Sequence, residues 1–140
     1  MKRFVLVLLL MLTAVLSGGA QPPSDAIIGE WVAPQKDSRI RIYRQGNSYF
    51  GRITWGTGGP DKDVKNPDPA KRNRELIGLT ILNDFVFNGK NSWEDGTIYD
   101  PREGKTYSCK LTLKDSKNLS IRGYVGVSLF GRTEVWTKFN

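Results

Sequence analysis

The sequence contains no histidine and a single cysteine. Without an imidazole, Ser-His-Asp and Cys-His catalysis are excluded, as is every zinc site that requires a histidine ligand. The lone Cys109 cannot form an internal disulfide or a cysteine-rich metal centre. What remains is a chain of 140 residues, 39% hydrophobic and 25% charged, which is the composition of one ordinary globular domain.

Long apolar runs are also scarce, and the one present lies at the amino terminus. Thirteen mostly apolar residues at 4–16 follow two basic residues and lead to a run of small residues that ends at Ala20. A membrane span needs roughly twenty apolar residues, so this run is short for an anchor. The pattern predicts a secretory signal peptide at residues 1–20 and a secreted or periplasmic domain at residues 21–140.

The rest of the chain has the pattern of β-strands. Residues 106–113 alternate apolar and polar side chains, which places the two kinds on opposite faces of a half-buried strand. Glycine, asparagine and proline, which favour turns, separate such runs. The pattern predicts an all-β fold of eight antiparallel strands, which at this size either close into an up-and-down barrel or split into two layers. The strands are expected at residues 28–32, 39–43, 49–55, 77–87, 93–99, 106–113, 119–122 and 132–139.

The interior of such a barrel is the candidate binding site. A small closed sheet either fills its interior with side chains or holds one small ligand. The first case is a plain core, and the second predicts a carrier of a small apolar or amphipathic molecule, with no cofactor. The residues expected to line the interior are Ile40, Ile42, Ile53, Trp55, Leu79, Ile81, Phe85, Trp93, Tyr107, Leu111 and Ile121.

Several motifs occur in order along the predicted domain. They are Gly29-x-Trp31, Asn66-Pro67-Asp68-Pro69, Gly96-x-Ile98-Tyr99-Asp100-Pro101, Arg122-Gly123-Tyr124 and Gly131-Arg132-x-x-x-Trp136. Together they resemble the uncharacterised bacterial family of unknown function DUF2147, and Gly-x-Trp resembles the lipocalin signature. The resemblance implies an exported lipocalin-like barrel in which Trp31 closes one end and Arg132 packs across its indole. It implies no activity, and Lys138 stands where the family often has arginine.

An acidic loop raises the question of calcium. Asp61, Asp63, Asn66 and Asp68 are closely spaced, but a calcium loop also needs a glycine at its sixth position and a bidentate glutamate at its twelfth. Asparagine and aspartate also bond nearby backbone N–H groups in turns. We therefore expect these residues to build turns and to hold no metal.

Paired carboxylates could carry out hydrolysis. Glu94 and Asp95 are neighbours on a predicted strand and would point to opposite faces, so they cannot share a site. Asp100 precedes a proline and has the pattern of a turn residue, and Glu103 follows in the same turn. Because no pair of nucleophile and base is visible, we expect no enzyme.

The charge distribution gives little support to nucleic-acid binding. The formal net charge is +7, but the basic residues are scattered and cluster only at residues 71–74. Nucleic-acid binders combine a basic groove with stacking aromatic residues, so we expect no nucleic-acid partner. The cluster leaves open a peripheral contact with anionic lipids of the cell envelope.

Two further features bear on partners. Residues 125–130 are apolar and bounded by glycines, so they form either an exposed hairpin tip or an inward-turned barrel corner. An exposed tip would favour an interaction module, or a homo-oligomer, with a filled core and no ligand. Cys109 lies on the apolar face of its predicted strand, which predicts a buried, unreactive thiol.

Overall fold

The computed structural model describes residues 23–127 and 130–140. The predicted signal peptide at residues 1–20 lies outside the described residues. Within the described part of the chain, no helix has the length and apolar character needed to cross a membrane. The helical structure described there consists of two short 3₁₀ turns, Ser24–Ile27 and Pro69–Lys71.

Eight antiparallel strands form a closed barrel. Each strand pairs with the next along the chain, and the last pairs with the first. The predicted eight-stranded up-and-down barrel is therefore confirmed, and the alternative of two separate layers is wrong. Closure leaves no unpaired sheet edge. The strands are β1 Gly29–Val32, β2 Ser38–Gln45, β3 Ser48–Gly56, β4 Thr80–Phe87, β5 Ser92–Asp100, β6 Lys105–Asp115, β7 Asn118–Tyr124 and β8 Gly131–Lys138.

The connections give the barrel two unlike ends. Short turns after β2, β4 and β6 lie at one end, here called the closed end. The connections after β1, β3, β5 and β7 meet at the other end, here called the mouth. The connection at residues 57–79 is the longest of these, and loops of this length are usually functional.

The closed end is filled by large side chains and plugged by the chain before β1. Trp93 and Phe85 are fully buried there. The 3₁₀ turn Ser24–Ile27, here called the amino-terminal plug, covers them. Its carbonyl groups accept hydrogen bonds from two indoles, at 2.9 Å from Trp93 Nε1 to the Ser24 oxygen and 3.0 Å from Trp31 Nε1 to the Ile27 oxygen. These bonds satisfy buried N–H groups that would otherwise destabilise the core.

The cation beside Trp31 is Lys138, so the predicted pairing with Arg132 is wrong. Trp31 pairs with Lys138 across β1 and β8, whereas Arg132 lies near the start of β8 and pairs with Gly123. Six residues of strand separate the two cations, or about 20 Å. Lys138 Nζ lies 4.8 Å from the Trp31 ring centroid and donates to the Ile28 oxygen at 3.2 Å.

The glycine of the Gly29-x-Trp31 motif makes room for this lysine. A Cβ at Gly29 would lie 2.6 Å from Lys138 Nζ. The Gly29 φ of +142° is also one that side-chain-bearing residues rarely adopt. Burial, together with the nearby charge of Arg41, lowers the pKa of Lys138. The motif therefore builds a cation–π contact at the closed end.

A β-bulge turns Trp55 outward, so its predicted place in the barrel interior is wrong. Ile40 pairs with Ile53 while Arg39 pairs with Trp55, which leaves Thr54 as an extra residue in β3. An extra residue reverses the alternation beyond it. Trp55 is consequently 37% exposed and stacks with Arg39, whose guanidinium carbon lies 4.6 Å from the ring centroid.

The strand predicted at residues 77–87 begins later than expected. β4 starts at Thr80, and Ile77 is an exposed loop residue. Leu79 lies just before the strand and packs, partly buried, against the core. Leu79 does not line the cavity described below, so its predicted role as a lining residue is wrong.

Candidate ligand-binding site

A cavity of about 900 Å³ occupies the half of the barrel next to the mouth. Its floor is aliphatic, because inward-facing positions on β2, β3, β4, β5 and β7 carry isoleucine. These residues are Ile40, Ile53, Ile81, Ile98 and Ile121. The indole of Trp136 completes the floor. Pockets of this size lined mainly by apolar groups are typical sites for small molecules.

The predicted lining residues divide according to their height in the barrel. Ile40, Ile53, Ile81, Tyr107 and Ile121 line the cavity. Ile42, Phe85, Trp93 and Leu111 belong to the buried core and lie farther along their strands toward the closed end. The strand pattern identifies the inward face, but it does not distinguish the packed half from the open half.

Glycine and isoleucine account for the space in the open half. A Cβ at Gly123 would meet its nearest neighbours, Ile98 Cγ2 and Tyr107 Cβ, at 3.7 Å, which is ordinary van der Waals contact. In the packed half, by contrast, a Cβ at Gly96 would lie 2.5 Å from the Phe85 ring. Gly96 therefore makes room for the Phe85 ring in the packed half, whereas Gly123 leaves part of the open half unfilled.

Charged side chains surround the upper part of the cavity. Its lining includes five acidic residues, Asp37, Asp61, Asp100, Glu103 and Glu134, and three basic residues, Lys65, Arg102 and Arg132. An apolar floor and charged groups nearer the mouth suit a molecule with an apolar tail and a polar head.

Arg102 is already held by a carboxylate of the lining. Its Nε and Nη2 atoms bond both oxygens of Asp100, at 3.1 and 3.2 Å. The hydrogen bond to Asp100 raises the pKa of Arg102, and the charges of Glu134 and Asp37 act in the same direction. Asp100 Oδ1 also accepts the Arg102 backbone N–H at 2.9 Å, which confirms the prediction that Asp100 is a turn residue.

Glu134 is one of two lining carboxylates, with Asp37, that the strand pattern did not single out. It pairs with Ile121 on β7, so it lies one inward position deeper than Arg132 on β8. Its Oε1 accepts a hydrogen bond of 3.0 Å from Trp136 Nε1. The alternation of Arg132, Glu134 and Trp136 on one face of the last strand is the signal that could have identified it.

Tyr107 lines the cavity near the mouth. Its hydroxyl donates to Glu103 Oε1 at 2.7 Å, and this hydrogen bond raises the pKa of Tyr107. The charge of Arg132 acts in the opposite direction. The phenol is therefore fixed at the wall by its own hairpin.

The long loop at residues 57–79 is fastened to the barrel by a buried carboxylate. Asp63 is fully buried and accepts hydrogen bonds from Tyr99 at 2.6 Å, Asn66 at 2.8 Å and Arg74 at 3.0 Å. Burial alone would raise the pKa of Asp63, but these donors outweigh it and hold the pKa below 3.8. Burial and the Asp63 carboxylate raise the pKa of Tyr99 to about 12.

Of the four loop residues expected to build turns, Asn66 and Asp68 do so, whereas the Asp63 side chain accepts only from other side chains. Asn66 Oδ1 accepts from the Asp68 N–H at 2.8 Å, and Asp68 Oδ1 accepts from the Ala70 N–H at 3.0 Å. Asp68 thus caps the 3₁₀ turn that begins at Pro69. The Asp63 oxygens, the most buried of the group, are occupied by side-chain donors of the protein itself.

The predictions for Cys109 and for residues 125–130 are tested by burial. Cys109 is fully buried, as predicted, and burial raises the pKa of its thiol to about 12. Val125 and Phe130 are 68% and 73% exposed. The connection between β7 and β8 is thus an exposed tip at the mouth, and the inward-turned alternative is wrong for its described residues.

Comparison with known proteins identifies the family. The bacterial family described as an uncharacterised conserved protein, DUF2147, matches residues 29–138. The chain belongs to DUF2147.

The DUF2147 barrel is similar to the solved structure of protein HP1028 from Helicobacter pylori, which is described as belonging to the lipocalin family. The TM-score is 0.75 at 21% identity, over 81% of this chain and 83% of that one. This likeness shows a lipocalin-like fold. Comparison with curated proteins finds no match.

Proposed function

We propose that this protein is an exported, non-enzymatic carrier that binds a small apolar or amphipathic molecule inside its barrel. The observation that carries the proposal is the cavity of about 900 Å³ with an isoleucine floor and a charged upper wall. Export rests on the basic residues and the apolar run that precede Ala20.

The lining suits the apolar part of a ligand. Burial of apolar surface contributes roughly 25 cal/mol per Å², less the cost of ordering the ligand. The floor residues sit on strands of a closed sheet, so little rearrangement is needed to receive the ligand. Because the amino-terminal plug covers the closed end, the ligand reaches the floor through the mouth.

A cavity-filling substitution tests the carrier. Gly123→Phe adds an aromatic ring at a position where a Cβ fits, so the barrel should fold while its cavity shrinks. Gly123→Ala is the matched control. We expect the neutral dye N-phenylnaphthylamine to fluoresce in the native protein, to bind at least about tenfold more weakly to Gly123→Phe, and to bind unchanged to Gly123→Ala.

Circular dichroism and urea unfolding of both variants establish that the barrel is intact. If the dye does not bind the native protein, or binds the folded Gly123→Phe variant equally well, then the carrier proposal is wrong.

A second candidate function is contact with a membrane surface or another protein through the tip at the mouth. The exposure of Val125, Val127 and Phe130 favours it. The basic cluster at residues 71–74 favours it less, because Arg72 and Arg74 already bond Asn66 and Asp63 within the loop. If the tip is a contact surface, Phe130→Asp should reduce sedimentation with anionic vesicles or shift a self-associated species to the monomer in gel filtration. Unchanged behaviour in both assays would exclude this function.

A further inference from the structure

We infer that, among amphipathic molecules, the cavity selects those with a cationic head, and that Glu134 receives this head. The inference rests on the proposed function and narrows it to amines and related cations. It depends on the position of Glu134, on its free acceptor capacity and on the charges that surround it.

Glu134 is placed to meet a ligand already lying on the isoleucine floor. The residue faces inward opposite Ile121, and its indole partner Trp136 is itself part of the floor. A tail lying on the floor therefore brings its head group to this carboxylate. Arg132 lies one inward position nearer the mouth and is exposed.

The carboxylate of Glu134 has acceptor capacity to spare. Among the described residues it accepts one side-chain hydrogen bond, from Trp136, and forms no ion pair. An ionised carboxylate offers about four lone-pair positions. An ammonium group supplies three donors and an opposite charge, and such charge-assisted bonds are about twice as strong as neutral ones.

The charges of the lining favour the same kind of head. Five acidic residues face three basic ones, although the whole chain carries a formal charge of +7. One of the three cations, Arg102, is held by both oxygens of Asp100. The cavity is thus a region of negative charge in a basic protein. Weak surface binding would favour anions, so a preference for cations would have to originate in the cavity.

A matched set of probes tests the inference. Dodecylammonium, dodecanol and dodecanoate share one tail and differ in head charge, and each is titrated calorimetrically below the concentration at which it self-associates. We expect dodecylammonium to bind the native protein about tenfold more tightly than dodecanol, and dodecanoate to bind most weakly.

Substitutions locate the preference. Glu134→Gln keeps the shape and removes the charge, so it should abolish the preference for dodecylammonium while the affinity for dodecanol stays within about twofold. Glu94→Gln removes a carboxylate that pairs with Lys110 away from the cavity and should leave the preference intact. Arg132→Gln removes a competing cation and should strengthen dodecylammonium binding severalfold, which provides a second test if Glu134→Gln folds poorly.

The outcomes separate the two proposals. If dodecanol binds but dodecanoate binds as tightly as dodecylammonium, the inference is wrong and the carrier proposal stands. The same holds if Glu134→Gln retains the preference for dodecylammonium, or if Glu94→Gln abolishes it. If none of the three probes binds, the carrier proposal fails and the inference fails with it.

Discussion

Lys138 is a single side chain that holds several parts of the closed end together. Its ammonium contacts the Trp31 ring and the Ile28 carbonyl. A cation over an indole contributes roughly 0.5–2 kcal/mol. The burial that lowers the pKa of Lys138 offsets part of this gain. The net contribution of Lys138 to the free energy of unfolding should therefore be about 1 kcal/mol.

Replacing this lysine should weaken the fold. Lys138→Met keeps the apolar stem and removes the charge, and we expect the free energy of unfolding to fall by about 1 kcal/mol in urea titrations. Arg132→Met is the matched control, and as an exposed change it should stay within about 0.5 kcal/mol. A larger loss from Arg132→Met than from Lys138→Met would contradict this assignment.

Asp63 makes stability depend on pH. Its pKa is lower in the folded protein than the ordinary 3.8, so the carboxylate stabilises the fold above that value, and the contribution disappears as the pH falls through the folded pKa. Asp63→Asn should cost about 2 kcal/mol at neutral pH, because hydrogen bonds to a charged group are lost. It should also flatten the acid side of the stability profile, measured by urea unfolding across pH.

Asp68→Asn serves as a control for this change. Asparagine also accepts the capping bond at that position, so stability and its acid dependence should stay close to those of the native protein. An Asp63→Asn variant with an unchanged acid profile would show that other carboxylates cause the acid sensitivity.

At the scale of elements, the loop at residues 57–79 is fitted against the hairpin of β5 and β6. A Cβ at Gly104 would collide with the Lys65 carbonyl oxygen, and Gly104 has a φ of +71°. Both the close approach and the left-handed backbone require glycine here. The docked loop in turn contributes Asp61, Lys65 and Ile77 to the cavity wall.

Gly104→Ala should therefore loosen the loop. We expect it to destabilise the protein by about 1–3 kcal/mol and to speed proteolysis within residues 57–79, because a methyl group must displace backbone. Gly59→Ala, in a part of the same loop where a Cβ meets nothing within 4 Å, is the matched control. Equal stability and equal cleavage rates for both variants would show that the close approach is unimportant.

Bulges explain where the strand pattern was insufficient. The alternation around residues 106–113 predicted the faces of β6 correctly, because the extra residue in its pairing with β5 lies in β5, between Trp93 and Gly96. Trp55 follows the bulge at Thr54, and no local signal marks an extra residue in β3. The same limit applies to Lys138, since its position beside Trp31 depends on the register between the first and last strands.

At the scale of the whole molecule, Cys109 reports on opening of the barrel. The thiol is fully buried and its pKa is raised to about 12, so almost no thiolate exists at neutral pH. We expect native protein to react with a disulfide reagent far more slowly than urea-unfolded protein, and the rate to rise with urea in step with unfolding. Rapid labelling of the native protein would show that the Cys109 thiol is accessible without unfolding and would contradict its burial.

Whole-molecule features differed in how far the sequence could predict them. Strand number followed from the alternation and turn residues, because each strand carries its own signal. Closure did not, since the pairing of the last strand with the first is encoded in neither strand alone, and it was implied only by the resemblance to lipocalins. The cavity did not, since it depends on how volumes add across strands, with Gly96 filled by Phe85 and Gly123 left open. The position of Glu134 inside the cavity follows only after the register between β7 and β8 is known.

The amino-terminal plug has a practical consequence for anyone producing this protein. The amino-terminal plug, residues 24–27, covers the closed end, and the carbonyl oxygens of Ser24 and Ile27 accept hydrogen bonds from the indoles of Trp93 and Trp31. Material for crystallisation should therefore retain Pro23 and everything after it. A purification tag fused directly ahead of Pro23 would crowd the amino-terminal plug, so an intervening spacer is advisable.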